Sequence, residues 1–190
     1  MKKLFTRLYM LWFAYIIGKK LKKLGFRSFM ARPFRLDGAD NISIGSKTFL
    51  QKGAWLYCLG VEGIPGSLTI GSDSIFGYNN HIASVREVII GNNVLTANNV
   101  YISDNMHGYE DINQPIMDQE VLFKHAVSIG DGSWIGENVC IIGAHVGKNC
   151  VIGANAVVTS DIPDYSVAVG MPARVIRRYD TERKSWIQVK

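Results

Sequence analysis

The feature that most constrains the fold of this chain is a six-residue repeat, clearest in the consecutive units IGDGSW and IGENVC at 129–140. Each unit opens with Ile-Gly and carries a small or β-branched residue at its fifth position. The same period is present at 146–163, 44–55, 70–81 and 90–107. Because an α-helix repeats about every 3.6 residues and a half-buried strand about every 2, this period predicts a solenoid of the β-helix kind.

Three such units are expected to close one turn of a three-sided prism. The first residue of each unit points inward and stacks on its equivalents in neighbouring turns, and a crowded corner explains the frequent Gly or Ala at the second position. Asn, Asp and Gly at the third and fourth positions tolerate the left-handed backbone of tight corners. With 60–67 and 108–124 set aside as interruptions, 42–162 holds 96 residues. This length predicts about five turns around one continuous aliphatic core.

The repeats, together with the ending IGANAVVTSDIPDYSVAVGMPARVIRR at 152–178, resemble the hexapeptide-repeat acyltransferases. The similar branch holds galactoside, maltose and serine acetyltransferases and polysaccharide O-acetyltransferases. The resemblance covers about 42–178. It implies an all-β solenoid, a left-handed parallel β-helix, assembled as a homotrimer with active sites shared between subunits. We accordingly divide the chain into an N-terminal helical segment, a β-helix domain with one long loop, and a short C-terminal tail, which span 1–35, 36–178 (loop 108–124) and 179–190.

Charge is distributed unevenly along the chain. Residues 1–35 hold ten Lys or Arg and no acidic residue, residues 36–173 hold five basic and fourteen acidic residues, and residues 174–190 hold six basic and two acidic residues. An acidic body with basic ends does not favour nucleic acid as a partner. The three cysteines form no CxxC motif, so the sequence predicts neither a disulfide framework nor a zinc site, and a reducing compartment is expected.

The N-terminal segment leaves two interpretations open. Its uncharged stretch, Leu8 to Gly18, is too short to span a bilayer, and no small-residue cleavage site follows it. Four lysines between residues 19 and 23 follow an aromatic-rich stretch. This composition is typical of a helix that, through residues 1–24, lies on an anionic membrane surface or docks near a membrane glycosyltransferase. The alternative is a capping helix whose apolar face covers the end of the solenoid or a neighbouring subunit, because terminal repeats need covering. We expect a cytoplasmic protein, located at the inner face of the membrane under the first interpretation.

One histidine stands in a motif that carries chemistry. The six-residue pattern breaks in YISDNMHGYEDINQPI at 101–116, and a long loop leaving a regular solenoid predicts a functional segment. The stretch DNMHG at 104–108 resembles a motif of sugar O-acetyltransferases in which the histidine is the general base. Many relatives read Asp-His-Asn-His-Gly, and here Asn105 and Met106 hold the middle positions. The resemblance implies that His107 takes a proton from an acceptor hydroxyl that attacks acetyl-CoA, since imidazole exchanges protons near neutral pH.

Motif matching also implies which residues bind the co-substrate. Ala154 and Thr159 would face the pantetheine of acetyl-CoA. Arg174 and Arg177 would meet its phosphates or adenine, because guanidinium groups suit phosphate; a solvated tail is the alternative for Arg177. Trp134 would pack between the long loop and the cofactor region, with a surface role as the alternative.

Residues at the acceptor are expected as well. Asn79 aligns with an acceptor-binding asparagine of the galactoside branch, although an Asn at this position also suits a tight corner. Asp104 would orient His107 or contact substrate, with a role in a surface turn as the alternative. His81 and His125 are the secondary candidates for the base.

The function predicted by these observations is acetyl-CoA-dependent O-acetylation of a sugar hydroxyl, on a sugar or lipid-linked saccharide, in surface polysaccharide biosynthesis. The alternative is transfer to a soluble small acceptor: a free sugar, serine, an antibiotic, or a sugar amine by N-acetylation. A metal enzyme of the γ-carbonic anhydrase kind needs a close pair of histidines, whereas the four histidines here are 26, 18 and 20 residues apart. No metal is therefore predicted. A non-catalytic scaffold would not require the His107 motif.

Overall fold

The computed structural model describes the backbone of residues 2–189 and the side chains of residues 8–189. After a helix, α1 (Lys2–Ile16), the chain winds through six turns of three short strands each. The first four turns contain β1 (Lys23–Leu24), β2 (Phe29–Met30), β3 (Arg35–Asp37), β4 (Ile42–Ile44), β5 (Phe49–Leu50), β6 (Trp55–Tyr57), β7 (Leu68–Ile70), β8 (Ile75–Phe76), β9 (His81–Ala83), β10 (Val88–Ile90), β11 (Leu95–Thr96) and β12 (Tyr101–Ser103).

A two-stranded excursion, β13 (Asn105–His107) and β14 (Val121–Phe123), separates the fourth turn from the fifth. The fifth and sixth turns contain β15 (Val127–Ile129), β16 (Trp134–Ile135), β17 (Cys140–Ile142), β18 (His145–Val146), β19 (Val151–Ile152) and β20 (Val157–Val158). The described chain closes with β21 (Ser166–Val169), β22 (Arg174–Asp180) and β23 (Ser185–Gln188). Short 3-10 helices lie at Gly18–Lys20, Ala39–Asn41 and Ile116–Asp118.

Corresponding strands of successive turns pair in parallel and form the three faces of a prism. The first face has the order β1-β4-β7-β10-β15-β18, and the third has the order β3-β6-β9-β12-β17-β20. The second face runs β2-β5-β8-β11-β16-β19-β21 and is extended by β22 and β23. The chain therefore folds as a parallel β-helix, the architecture that the six-residue period predicts.

The first residues of the repeat units fill the interior of this prism. On the first face, five of them stack in register through successive turns, and each is at most 1% exposed: Ile44, Ile70, Ile90, Ile129 and Val146. Burying one such side chain contributes about 1.5–3 kcal/mol. Columns of this kind hold the turns together, because each turn buries its aliphatic residues only against its neighbours.

The number of turns differs from the prediction of about five. The first turn is formed by residues 23–37, most of which the predicted boundary at 35 assigns to a helical segment. LGFRSF at 24–29 is nevertheless a repeat unit, because a Cβ on Gly25 would overlap the carbonyl group of Gly45 in the next turn. The unit is hard to recognise in the sequence because Phe and Arg hold its third and fourth positions, where Asn, Asp or Gly is common.

α1 lies across the N-terminal end of the coil. Phe13 is fully buried, and the ring of Tyr9 meets that of Phe29 edge-on, with centroids 6.0 Å apart. The hydroxyl of Tyr9 donates to the carbonyl of Met30 at 2.7 Å and accepts the N–H of Arg32 at 2.9 Å. One side of the helix thus caps the first turn. Among the described residues, no helix is long and apolar enough to cross a membrane.

The segment predicted as a short tail from residue 179 contains a strand of its own. β22 continues to Asp180 and pairs antiparallel with β23, with Tyr179 opposite Trp186. The carboxylate of Asp180 closes the connecting turn, because it accepts the N–H groups of Glu182 and Arg183 at 2.9 Å. The C-terminal hairpin therefore extends the second face beyond the last parallel strand.

Candidate active site

An arm, residues 104–126, interrupts the β-helix between its fourth and fifth turns and is longer than the loop predicted at 108–124. Its base is the antiparallel pair β13–β14, in which His107 lies opposite Val121. Its tip extends into solvent, where Met117 is 84% exposed. The arm leaves the prism after a strand of the third face and returns to a strand of the first face, so it projects from the edge between them.

His107 ends the first strand of the arm, and its side chain is exposed. The N–H of the following Gly108 donates to the carbonyl of Glu120 at 2.8 Å, so the paired strands fix the backbone around the histidine. The imidazole is therefore presented on an ordered backbone and is accessible to a second molecule. This placement suits a general base, and the catalytic role remains a prediction.

Asp104 occupies a different place from the one expected for a residue that contacts substrate or orients His107. Its carboxylate is fully buried and accepts the backbone N–H groups of Val85, Arg86 and Glu87, each at 2.8 Å. Consecutive N–H groups that converge on one carboxylate form an anion-binding nest. Asp104 therefore ties the beginning of the arm to the corner between the third and fourth turns.

The end of the arm is anchored through Lys124. Its N–H donates to the carbonyl of Asp104 at 2.8 Å, which joins the two ends of the arm. Its ammonium group donates to the carbonyl of Ile142 in the fifth turn at 3.3 Å. The arm is consequently connected to the turns on both sides of it.

The shortened repeat unit IIGAH at 141–145 lies beside this anchor. Ile141 and Val146, the first residues of this unit and the next, are both buried and remain in register with the turns before them. Gly143 closes the shortened corner with a φ of +57°. The missing residue is absorbed in the corner, and the neighbouring strands keep their places.

His125 and His145 meet at the foot of the arm. Their ring centroids are 5.0 Å apart and their planes are at 72°. Nδ1 of His145 is 2.8 Å from the hydroxyl of Ser128, and Nδ1 of His125 is 3.0 Å from the carbonyl of Ala126. Both rings have local partners, so His125 remains a secondary candidate for the base.

His81 is a packing residue on the third face. Its ring is stacked on that of Trp55, with centroids 4.0 Å apart and planes 2° apart, and it meets the ring of Tyr101 at 5.1 Å. Burial lowers the pKa of His81, because protonation would place a charge in a partly desolvated site. A neutral, stacked ring fits a structural role better than that of a base.

Asn79 belongs to a column of asparagines along one corner of the prism. Asn79, Asn99, Asn138 and Asn155 all have a φ between +55° and +60°, a conformation that Asn tolerates better than most residues. Their side-chain amides are linked from turn to turn by hydrogen bonds of 3.4, 3.2 and 3.1 Å. The geometry therefore favours the corner role for Asn79 over the predicted contact with an acceptor.

Four of the five residues predicted to bind the co-substrate lie in the C-terminal part of the coil. Ala154 and Thr159 are exposed in the sixth turn, and Arg174 and Arg177 are exposed on β22. Neighbouring strands of a sheet are about 4.8 Å apart. Since β20 lies two strands from β12, Ala154 and Thr159 are about 10 Å along the axis from the layer where the arm departs. Arg174 and Arg177 are farther along the axis, because β22 lies four strands from β11 on the second face.

Trp134 lies on the second face and not beside the arm of its own chain. It is the outward residue of β16, in register with Leu95 and Val151, and it is 50% exposed. Its location differs from the predicted place between the loop and the cofactor region. The sequence could not distinguish a place beside the loop from a place on another face. An aromatic residue at this position of a repeat unit points outward on any of the three faces.

Cys58, Cys140 and Cys150 are free, and burial raises the pKa of the Cys58 thiol to about 11. Among the side chains that the structure describes, residues 8–189, no group of three His, Cys, Asp or Glu has the arrangement of a metal site.

The sequence reasoning missed the corner that receives Asp104. Arg86 of this corner also forms an ion pair with Glu62, which lies in the interruption between the second and third turns. The corner reads SVRE at 84–87 and matches no motif. Its partnership with Asp104 arises only when the third and fourth turns stack, and the one available signal is that Asp104 directly precedes the break in the repeat.

Comparisons with known proteins agree with this architecture. The family model described as the hexapeptide repeat of succinyl-transferase matches residues 126–160. WbbJ of Escherichia coli K12, whose name assigns it provisionally to O-acetyl transfer in lipopolysaccharide biosynthesis, is 40% identical over 113 residues, 56% of this chain and 58% of WbbJ. Galactoside O-acetyltransferase of the same organism is 36% identical over 121 residues, 63% of this chain and 58% of the enzyme.

The solved structure of a maltose O-acetyltransferase from Clostridium difficile 630 is similar with a TM-score of 0.61 at 29% identity, over 94% of this chain and 84% of that one. The fold is thus the predicted left-handed parallel β-helix with an N-terminal helix. The chain is similar to hexapeptide-repeat acyltransferases in its repeats and in its fold. It spans about half the length of the curated relatives it matches, between 44% and 58% for three of them.

Proposed function

We propose that this chain is an acetyl-CoA-dependent O-acetyltransferase that modifies a sugar hydroxyl in surface polysaccharide biosynthesis, with His107 as the general base. The observation that carries the proposal is the exposed imidazole of His107 on an arm that is anchored at both ends. The similarity to named acetyltransferases supports acetyl transfer as the class of reaction. Among the similar proteins, two are named for sugar acceptors and one for lipopolysaccharide biosynthesis.

In this mechanism the chain supplies a base and holds it in place. A ring nitrogen of His107 accepts the proton of the acceptor hydroxyl as its oxygen bonds to the acetyl carbon, and the imidazolium then returns that proton to the leaving sulfur. Acetyl-CoA supplies an already activated thioester, so a covalent acyl-enzyme is not required. The hydrogen bonds of the buried Asp104 carboxylate restrict the start of the arm. This restriction limits the positions that His107 can take relative to bound reactants.

The C-terminal end of the coil offers groups that fit coenzyme A. Ala154 leaves room beside the backbone, Thr159 offers a hydroxyl, and the guanidinium groups of Arg174 and Arg177 suit phosphate. All four residues are exposed. We include them in the proposal as the co-substrate site.

A homotrimer is part of the proposal. The second face presents a column of apolar side chains in register, in which Ile75, Leu95 and Trp134 are each about half exposed. Packing this flat face against a neighbouring protomer would bury the column. Light scattering should give a mass three times that of the 21.1 kDa chain, and a monomer at working concentration would contradict this assembly.

The first experiment is acetyl-CoA turnover, measured by thiol release, with a panel of sugars, sugar amines, serine, an antibiotic and lipid-linked saccharides. We expect turnover with a saccharide hydroxyl and a loss of about 10²–10⁴-fold in His107→Ala, the usual contribution of a general base. His81→Phe is the matched control, because it removes an imidazole but keeps a ring in the Trp55 stack. Full activity in His107→Ala would refute the assignment of the base.

The acceptor panel separates the leading function from its alternative. Turnover with free sugars, serine or an antibiotic in preference to lipid-linked saccharides would favour a soluble acceptor. An acetylated amine as the product, identified by mass spectrometry, would show N-transfer. Coenzyme A binding that is absent altogether would refute the acetyltransferase proposal.

A further inference from the structure

The helix that caps the coil has a second apolar face, which is uncovered. Tyr9 and Phe13 pack on the first turn. On the other side, five large apolar residues are between 44% and 69% exposed: Leu8, Leu11, Trp12, Tyr15 and Ile16. Their spacing of three and four residues places them on one side of the helix. An exposed apolar helix face of this extent indicates an interaction surface.

The uncovered face continues into a groove between α1 and the first turn. The groove has a volume of about 600 Å³, and its wall includes Leu11 and Ala14 from the helix and Leu24 and Phe26 from the first turn. Phe26 is 75% exposed. Leu11 belongs to both the helix face and the groove, so the apolar surface is continuous across them.

Positive charge borders this apolar surface. Four exposed lysines, Lys19, Lys20, Lys22 and Lys23, follow directly after the helix. The ammonium group of Lys19 lies 3.9 Å from the ring centroid of Tyr15, which joins the basic cluster to the end of the exposed face. Residues 1–35 contain no acidic side chain that could neutralise it.

We propose that this N-terminal surface, defined as the exposed face of α1 with Phe26 and the four lysines, binds the surface of a membrane that contains anionic lipids. Apolar and aromatic side chains on one helix face insert at the boundary between headgroups and acyl chains, and flanking lysines attract anionic headgroups. Because Phe13 and Tyr9 already hold α1 against the coil, the face is presented without a folding step. This inference does not depend on the acetyltransferase proposal.

The charge of the N-terminal surface favours a lipid membrane as its partner over a second copy of this chain. Two copies packed through this face would bring two lysine clusters together without a compensating acid from residues 1–35, and like charges in contact are unfavourable. An anionic bilayer instead offers complementary charge at the same depth as the lysines and an apolar medium for Leu11 and Trp12.

The test is flotation of the full chain with vesicles of phosphatidylcholine alone and of phosphatidylcholine mixed with phosphatidylglycerol. We expect binding to the mixed vesicles. Leu11→Glu/Trp12→Glu should lower the bound-to-free ratio at least ~10-fold, because two carboxylates would have to enter the interface. The matched control is Ile112→Glu/Met117→Glu, which introduces the same charges at exposed residues of the arm and should bind as the wild type does.

A second pair of variants isolates the charge. Changing Lys19, Lys20, Lys22 and Lys23 to Gln should lower binding at least ~10-fold. The same change at the four other lysines within residues 36–173, Lys47, Lys52, Lys124 and Lys148, gives the same net charge and should leave binding intact. These variants keep the apolar face, so they test the proposal even if the glutamate pair misfolds.

The proposal is overturned if the wild type does not bind the mixed vesicles, or if each control loses binding as far as its partner does. It is also overturned if Leu11→Glu/Trp12→Glu leaves vesicle binding intact and instead lowers the molecular mass measured by light scattering. That result would make the helix face a contact between copies of the chain.

Discussion

The carboxylate of Asp104 lies 2.8 Å from the backbone nitrogen of Val85, and this hydrogen bond joins the start of the arm to the corner between the third and fourth turns. The same buried carboxylate accepts the next two N–H groups of the corner. Buried backbone donors are costly when they are left without partners. One side chain therefore satisfies a whole corner and at the same time sets where the arm begins.

Removing the charge of Asp104 should destabilise the fold and loosen the arm. In Asp104→Asn the side-chain amide nitrogen would face N–H donors, so the expected loss in the free energy of unfolding is about 2–3 kcal/mol, the scale of charge-assisted hydrogen bonds and unpaired buried donors. Urea denaturation measures this loss. Limited proteolysis should show faster cleavage within residues 104–126, and unchanged cleavage there would contradict the anchoring role.

Asp131→Asn is the matched control for this substitution. The carboxylate of Asp131 also accepts a backbone N–H, that of Asn92 at 2.7 Å, but Asp131 is exposed. Water can replace its contribution, so a loss below about 1 kcal/mol is expected. Equal losses in the two variants would show that burial of Asp104 does not matter.

The cap of the coil depends on Phe13. Phe13→Ala should lower the free energy of unfolding by about 3–5 kcal/mol if the cap unfolds together with the coil, because it leaves a cavity where the ring is fully buried. Chemical denaturation measures the loss, and proteolysis after the lysines at 19–23 should become faster as α1 detaches. An unchanged unfolding curve together with unchanged proteolysis would contradict the capping role.

Trp12→Ala tests whether the exposed face of α1 contributes to stability as the buried face does. Trp12 is the residue before Phe13 but is 51% exposed, so its removal should change the free energy of unfolding by no more than about 0.5 kcal/mol. Its effect should instead be seen in vesicle binding. A large loss of stability in Trp12→Ala would show that the helix packs in a different orientation.

The repeat made most of the fold predictable, because its six-residue period indicates which residues face the interior of the coil. Ile129 and Ile135 could be placed in the interior from the sequence, and both are at most 1% exposed. The first turn could not be recognised in the same way. Its corner at Arg27 adopts a φ of +61° with a residue that carries no preference for this conformation, so the local signal is missing. Contacts with the second turn accompany this corner, where the N–H of Lys47 donates to the carbonyl of Phe26 at 2.8 Å.

The candidate site was predictable to a smaller extent. His107 could be singled out because the repeat breaks around it and DNMHG at 104–108 resembles a sugar O-acetyltransferase motif, and the structure shows it exposed on the arm. The place of Asp104 could not be predicted, since its partners are backbone groups about twenty residues earlier in the chain. Backbone donors have no sequence signature, and they come within reach only when two turns stack.

The three free cysteines should differ in reactivity. Burial raises the pKa of Cys58 to about 11 and raises that of Cys150 as well, so both remain protonated thiols, and the reactive thiolate is scarce. Cys140 is only half-buried, on the outer side of the third face. A disulfide reagent at about pH 8 should label one thiol per native chain and three after denaturation.

Cys140→Ser provides the control for this labelling. The native variant should show no fast labelling, and the denatured variant should show two thiols. Fast labelling of the native variant would indicate that Cys58 or Cys150 is reached through local opening of the coil, contrary to their buried positions.

The stack of Trp55, His81 and Tyr101 should make the fold sensitive to acid. Burial lowers the pKa of His81 in the folded chain below its ordinary value of 6.5. The unfolded chain therefore binds this proton more readily, so the stability contributed by neutral His81 is complete above about pH 6.5 and falls as the pH drops towards the lowered folded-state pKa. His81→Phe keeps a ring in the stack and cannot titrate. Urea midpoints measured between about pH 7.5 and 5 should decline less in His81→Phe than in the wild type, and parallel declines would mean that His81 is not the group responsible.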